Sequence, residues 1–231
     1  MRSGAVNRKE RNSRTAARSA NRANRRYFRK AYRTGQHGWE AEEPSPYAVA
    51  FLLRLKRISP NGRLLDVGSG EGRHAILASR LGFNVTAVDY EPLAIKRAQR
   101  FAQERGAGEI VFRREDVLRL RAPETPFDVV LDYGCLHHQK KADWPDYLAS
   151  ILRVLSAGGF FVLSVFSPNF PMFRGSHKNW HIAHGAYRRS FTRDELLELF
   201  GREFEPLEMI EEDGGRHGFW HVLFRRRNPA R

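Results

Sequence analysis

Downstream of Gly62 the chain alternates short apolar or β-branched runs with helix-length amphipathic stretches, each change marked by glycine or proline. Strands are predicted at Arg63–Val67, Asn84–Val88, Glu109–Arg113, Phe127–Asp132, Phe160–Phe166, Phe204–Ile210 and Phe219–Phe224. Helices are predicted between them at Arg73–Leu81, Pro92–Arg105, Pro145–Leu155 and Arg193–Phe200, the last with Thr192 and Glu195 spaced as a capping box. Strands that alternate with helices pair in parallel and carry helices on both faces, so the pattern predicts a doubly wound, Rossmann-like α/β sheet. Only a short turn around Gly214-Gly215-Arg216 separates the last two runs, which therefore form an antiparallel hairpin at the sheet edge.

Ahead of this domain, Arg11, Arg14, Arg18, Arg22, Arg25, Arg29 and Arg33 recur at steps of three and four, one face of a helix. The opposite face holds Ala16, Ala20, Ala23, Tyr27 and Ala31, too little apolar area for more than marginal docking. Gly35, Gly38 and the run Glu42 to Pro46 break the pattern before a further helix at Tyr47–Ile58. The division expected is thus a basic helical arm, residues 1–34, and one domain, residues 35–231. Charge sharpens it: of the formal +14, residues 1–33 carry +11, which leaves the domain an ordinary balance. No apolar run is long enough to span a bilayer, the start lacks the apolar core of a secretory signal, and Cys135 is the only cysteine. A soluble, cytoplasmic protein is expected, with an organelle transit peptide as the alternative reading of the Arg-rich start.

The chemistry is concentrated where the first strand ends. Leu64-Leu65-Asp66-Val67-Gly68-Ser69-Gly70-Glu71-Gly72 is a strand running into a glycine turn that opens a helix, a place where a ligand can approach the main chain. The second strand ends in Asp89, nineteen residues after Gly70, the position from which an acid reads an adenosine ribose in doubly wound folds. A dinucleotide fingerprint wants glycine at position 73, where the chain has Arg73, and this weakens a nicotinamide reading. Asp66, two residues before the first glycine, is placed to face the cationic end of a cofactor with an amino acid tail.

LLDVGSGEG together with VTAVDYEP resembles the first two motifs of class I S-adenosylmethionine-dependent methyltransferases. Glu115-Asp116-Val117, FDVVLDYGCLHH and VLSAGGFFVLSVF follow in the family's order, and the resemblance covers Tyr47 to Arg225. It implies S-adenosyl-L-methionine as cofactor and a seven-stranded sheet, counted over the seven predicted runs, of order 3-2-1-4-5-7-6 with the last strand antiparallel. It further implies that Gly68 and Gly70 approach the methionine portion, Asp89 the ribose, Asp116 with Val117 the adenine, and Asp132 with Tyr133 the methyl-transfer pocket. Ser69, Gly72 and Tyr90 stand within the same motifs and are taken with the cofactor site. GCLHH, VFSP, RRSFTRDELLELF and WHVLFRRR are similar to small-molecule methyltransferases of the thiopurine and tellurite-resistance type, which implies a small-molecule methyl acceptor.

His137 and His138 directly follow the fourth strand, at the carboxyl end where open α/β sheets place ligands; they and Tyr133 are the candidate catalytic residues, with a turn cap as the bland alternative for the histidines. Residues 167–190, with Phe170, Phe173, Trp180 and Tyr187, read as a lid-like insert over that edge and depart from the family pattern. Within it His177, His181 and His184 would share a face if helical; no cysteine or nearby acid completes a metal set, and none is expected. Trp39 is read either as closing over the cofactor or as plain packing. The arm's arginines leave a second reading, a methyltransferase acting on RNA or another macromolecule through phosphate contacts.

Overall fold

Along the central strands successive residues serve opposite layers, as the two-residue period requires. Leu65, Val130 and Leu163 belong to one core and Leu64, Val129 and Val162 to the other. The computed structural model describes residues 22–35, 43–212 and 218–228. Its sheet has seven strands, β1 (Arg63–Val67), β2 (Asn84–Asp89), β3 (Ile110–Arg114), β4 (Phe127–Tyr133), β5 (Leu155–Phe166), β8 (Phe204–Glu211) and β9 (Phe219–Arg226). Their order is β3-β2-β1-β4-β5-β9-β8, the expected topology once two short strands of the insert are counted, β6 (Trp180–Ala183) and β7 (Ala186–Arg189). β1 to β5 pair in parallel, and β9 runs antiparallel to both β5 and β8.

One layer packs α5 (Trp144–Val154) and α6 (Arg193–Phe200) through Tyr147, Ile151, Leu196 and Phe200. The other packs α2 (Pro46–Ile58) and α3 (Arg73–Arg80) through Phe51, Leu52, Leu55, Ala75 and Ala78. α4 (Pro92–Glu104) turns a stripe of buried alanines, Ala94, Ala98 and Ala102, inward, which lets it lie close. The capping box at Thr192 is formed in both directions. Among the described residues no helix is long and apolar enough to cross a membrane.

Three local departures from expectation have physical causes. β5 begins at Leu155 rather than Phe160, because the register shift after Phe127 and the left-handed Gly158 (φ 71°) carry the pairing through the glycine pair. The insert, read as a lid-like loop, contains a hairpin: β6 and β7 are joined by His184 and Gly185, at φ 53° and 83°, a pattern of two positive φ values that suits a tight two-residue loop. Residues 22–34, α1, form a helix whose inward face is Asn24, Ala31 and Tyr32, so the buried side includes a polar residue absent from the alanine stripe. Residues 1–21, including Ala16 and Ala20 of that stripe, lie outside the described residues.

Candidate active site

β1 delivers the chain to Gly68, at φ 64°, and Gly70, at φ 57°, both in the left-handed region that favours glycine. A Cβ at Gly68 would stand 2.7 Å from Cys135 Cβ, too close to fit without a shift, and one at Gly70 would press on the Tyr32 hydroxyl at 3.0 Å. Gly72 is the residue from which α3 starts. The turn is fastened to β2: Ser69 N–H donates to Val88 O (3.0 Å), and Gly70 N–H donates to Asp89 Oδ2 (3.0 Å). The other Asp89 oxygen accepts from Glu91 N–H at 2.8 Å, so this carboxylate builds the turn as well as facing it.

Three buried carboxylates surround the turn. Burial pushes Asp66 up to about 8, with the charges of Asp132 and Asp89 adding and Arg73 opposing. Asp132 rises to about 7 by burial, opposed by the hydrogen bonds it accepts from Tyr147 Oη (2.5 Å), Cys135 N (2.7 Å) and Leu136 N (3.0 Å). Those contacts occupy both its oxygens, so Asp132 shapes the turn after β4. Asp89 rises to about 6, again by burial first, with the amides of Glu91 and Gly70 opposing. Among the described residues Asp66 Oδ2, Ser69 Oγ and Tyr90 Oη are buried without a hydrogen-bond partner. Such groups are costly when left alone and mark where a ligand's donors and cations are stabilised.

Beside the turn lies a narrow crevice of about 40 Å³, floored by Gly68, Cys135 and Val117 and flanked by Tyr90, Asp116 and His138. Asp116 caps the turn that follows β3, its Oδ1 accepting from Leu118 N–H at 3.1 Å. His138 Nδ1 lies 2.9 Å from Tyr187 O, which makes Nδ1 the protonated nitrogen and leaves Nε2 with its lone pair. Burial lowers His138 to about 4, so its ring is neutral. His137 is placed differently: its ring stacks on Phe166 at 3.7 Å and its Nδ1 accepts from Phe166 N–H at 3.3 Å. The two rings meet edge-on at 4.5 Å, and of the pair it is His138 that lines the crevice.

Tyr133, at the end of β4, stacks on Phe219 at 5.7 Å, and the Arg73 guanidinium lies 5.2 Å from the centre of its ring. Phe166, Phe170, Phe173 and Phe219 continue this aromatic wall at the ends of β5 and β9. Behind it stands a buried pair the sequence reading missed: Ser164 Oγ meets His221 Nδ1 at 2.8 Å, while Glu212 Oε1 lies 3.1 Å from His221 Nε2 without hydrogen-bonding alignment. The signal was available, since His221 interrupts an otherwise apolar run, Trp220 to Phe224. His181 lies on β6 and His184 in the hairpin turn, so the three insert histidines share no helical face, and among the described residues no group of metal-ligating side chains forms. Trp39 lies outside the described residues. The arm was also missed as a wall: Asn24, Arg25 and Phe28 line the crevice.

Residues 64–159 match a family described as a methyltransferase domain. Nearly the whole chain is similar to the 1,6-didemethyltoxoflavin-N1-methyltransferase of Burkholderia thailandensis, solved with 1,6-didemethyltoxoflavin and S-adenosylhomocysteine: 27% identity, 92% of this chain and 91% of that one covered, TM-score 0.74. The chain is a class I S-adenosylmethionine-dependent methyltransferase. Its cofactor is S-adenosyl-L-methionine, and the residues at the turn fit that molecule: an amino acid ammonium and a sulfonium suit the unpartnered buried Asp66 oxygen, and the side-chain-free turn admits its close approach. The methyltransferase is also similar to EEF1A lysine methyltransferase 2 of Homo sapiens, 27% identical over 205 residues that make up 83% of this chain and 75% of that protein. TehB of Haemophilus influenzae shares its fold, with 18% identity, a TM-score of 0.59, and 77% and 62% of the two chains covered.

Proposed function

We propose that this methyltransferase methylates a small aromatic molecule bearing a removable proton, against the wall formed by Tyr133, Phe166, Phe170 and Phe219. The observation that carries the reading is that wall, at the strand ends beside the turn and continuous with the neutral imidazoles of His137 and His221. A flat apolar acceptor gains area there that an extended polar chain would not. Similarity over nearly the full length to an enzyme solved with 1,6-didemethyltoxoflavin supports a small-molecule acceptor.

In this reading Asp66 takes the ammonium, and Gly68, Ser69, Gly70 and Gly72 keep the floor open to the methionine portion. Asp89 holds the ribose, Tyr90 and Val117 flank the adenine, and Asp116 accepts from its amine. The cofactor supplies a methyl group on a sulfonium that leaves as a neutral thioether, so the protein's work is alignment, exclusion of water and handling of the acceptor's proton. Asp132 holds the turn that carries Tyr133 and the histidines. His138 Nε2 accepts the acceptor's hydrogen bond and orients it, while His137 and Tyr133 form the apolar side.

The test is a screen for S-adenosylhomocysteine release with phenols, thiols, amines and heteroaromatic N–H compounds, alongside lysine peptides and generic RNA. Turnover confined to small aromatic acceptors is expected; turnover confined to peptide or RNA overturns the reading. Asp89→Ala should abolish cofactor binding in calorimetry while leaving the circular dichroism spectrum in place, and His138→Ala should reduce turnover and spare cofactor affinity.

A further inference from the structure

α1 crosses the mouth of the crevice, and the contact at its centre is polar. Asn24 is only 6% exposed, and both ends of its carboxamide are used: Nδ2–H donates to His138 O at 2.8 Å, and Oδ1 accepts from Tyr187 N–H at 2.8 Å. One side chain therefore ties the arm to two separate structures, the turn after β4 and strand β7 of the insert. The same hairpin also receives His138 Nδ1 on Tyr187 O, so the arm, the turn and the insert close one ring of hydrogen bonds.

The next turn of the helix adds contacts to the crevice walls. Arg25 Nη2 pairs with Asp116 Oδ2 at 2.5 Å, and its guanidinium lies 5.1 Å from the centre of the Tyr90 ring. Phe28 meets the Tyr90 ring edge-on at 6.1 Å and that of His138 at 4.9 Å. Farther along, Arg29 faces the buried Glu91 at 3.7 Å, and Arg97 holds Tyr32 O at 2.6 Å while its other nitrogen holds Glu71. The arm thus holds Tyr90, Asp116 and His138 on the crevice walls, and only about 40 Å³ stays open beneath it. A solvated basic tail would show none of these contacts.

We propose that α1 is the roof of the cofactor site, with Asn24 as the clasp that retains the adenosyl group and Arg25 as a second, weaker fastener at the rim. The inference rests on the assignment of the cofactor to this crevice. The roof must lift to admit the cofactor, and because the clasp ends on β7, closing over the cofactor also sets the insert in place beside the acceptor wall.

The test is the release rate of S-adenosylhomocysteine from the full-length protein, followed by displacement, together with amide exchange of residues 22–34 with and without that ligand. Ligand should slow exchange across residues 22–34 and at Tyr187. Asn24→Ala, which removes two buried hydrogen bonds, should speed release about tenfold or more and abolish the ligand's protection of the helix. Arg25→Ala, at an exposed rim the fold tolerates, should speed release by about threefold, and high salt should mimic it. Binding by the wild type with release unchanged in Asn24→Ala and Arg25→Ala, or with exchange of residues 22–34 indifferent to ligand, overturns the roof alone. Failure of the wild type to bind at all overturns the cofactor assignment and the roof with it.

Discussion

Asp66 is the residue whose surroundings say most about the chemistry. A carboxyl group raised from about 3.9 in the unfolded chain to about 8 in the fold favours the protonated state. Its contribution to stability is therefore full below about pH 4 and lost as pH rises through about 8. Asp66→Asn should make the ligand-free protein more stable than wild type at pH 8, with the gap shrinking as the pH falls towards 4, read by urea unfolding at each pH. The ligand's ammonium reverses the preference by stabilising the ionised form. Binding of S-adenosylhomocysteine at pH 7 should then release up to about 0.9 proton, measured by calorimetry in buffers of different ionisation enthalpy, and Asp66→Asn should remove most of that release. Gly68→Val is the steric counterpart: with Cys135 Cβ 2.7 Å from the new carbon and φ at 64°, it should abolish ligand binding and lower the melting temperature.

Elements differ in how openly they are written in the sequence. The glycine turn, the acid closing β2 and the capping box on α6 are local patterns, and each was found where spacing put it. The β6–β7 hairpin was not legible, because four-residue strands of mixed polarity have no period long enough to detect, and its turn carries histidine where asparagine would be diagnostic. The inward face of α1 was misjudged for another reason: the helical period locates faces by apolarity, and Asn24 is buried by two backbone partners that no periodicity reveals. The hydrogen bond between Ser164 and His221 likewise joins the neighbouring strands β5 and β9, whose pairing lies beyond the reach of local spacing. The hairpin yields its own prediction. His184 at φ 53° is a poor occupant of a two-residue loop, so His184→Asn should strengthen the hairpin by a few tenths to about 1 kcal/mol, visible as slower amide exchange at Ala183 and Ala186.

Across the whole molecule, charge and topology act together. The arm that carries most of the formal +14 does not simply face solvent where it is described: Arg25 and Arg29 meet Asp116 and Glu91 on the domain. The two layers share one sheet, and the fully buried Phe161 of β5 touches Phe200, Phe204 and Phe224 from three other elements. Phe161→Ala should cost about 3–5 kcal/mol of global stability, measured by denaturant unfolding, with a cavity in place of the ring. β9 has a consequence of its own. It is inserted between β5 and β8, so the ribosome must deliver residues up to Arg226 before the two exposed strand edges can be sealed. A nascent chain halted after Glu212 would present both edges, unpaired, to every neighbouring polypeptide, and until β9 arrives a chaperone is what keeps them apart.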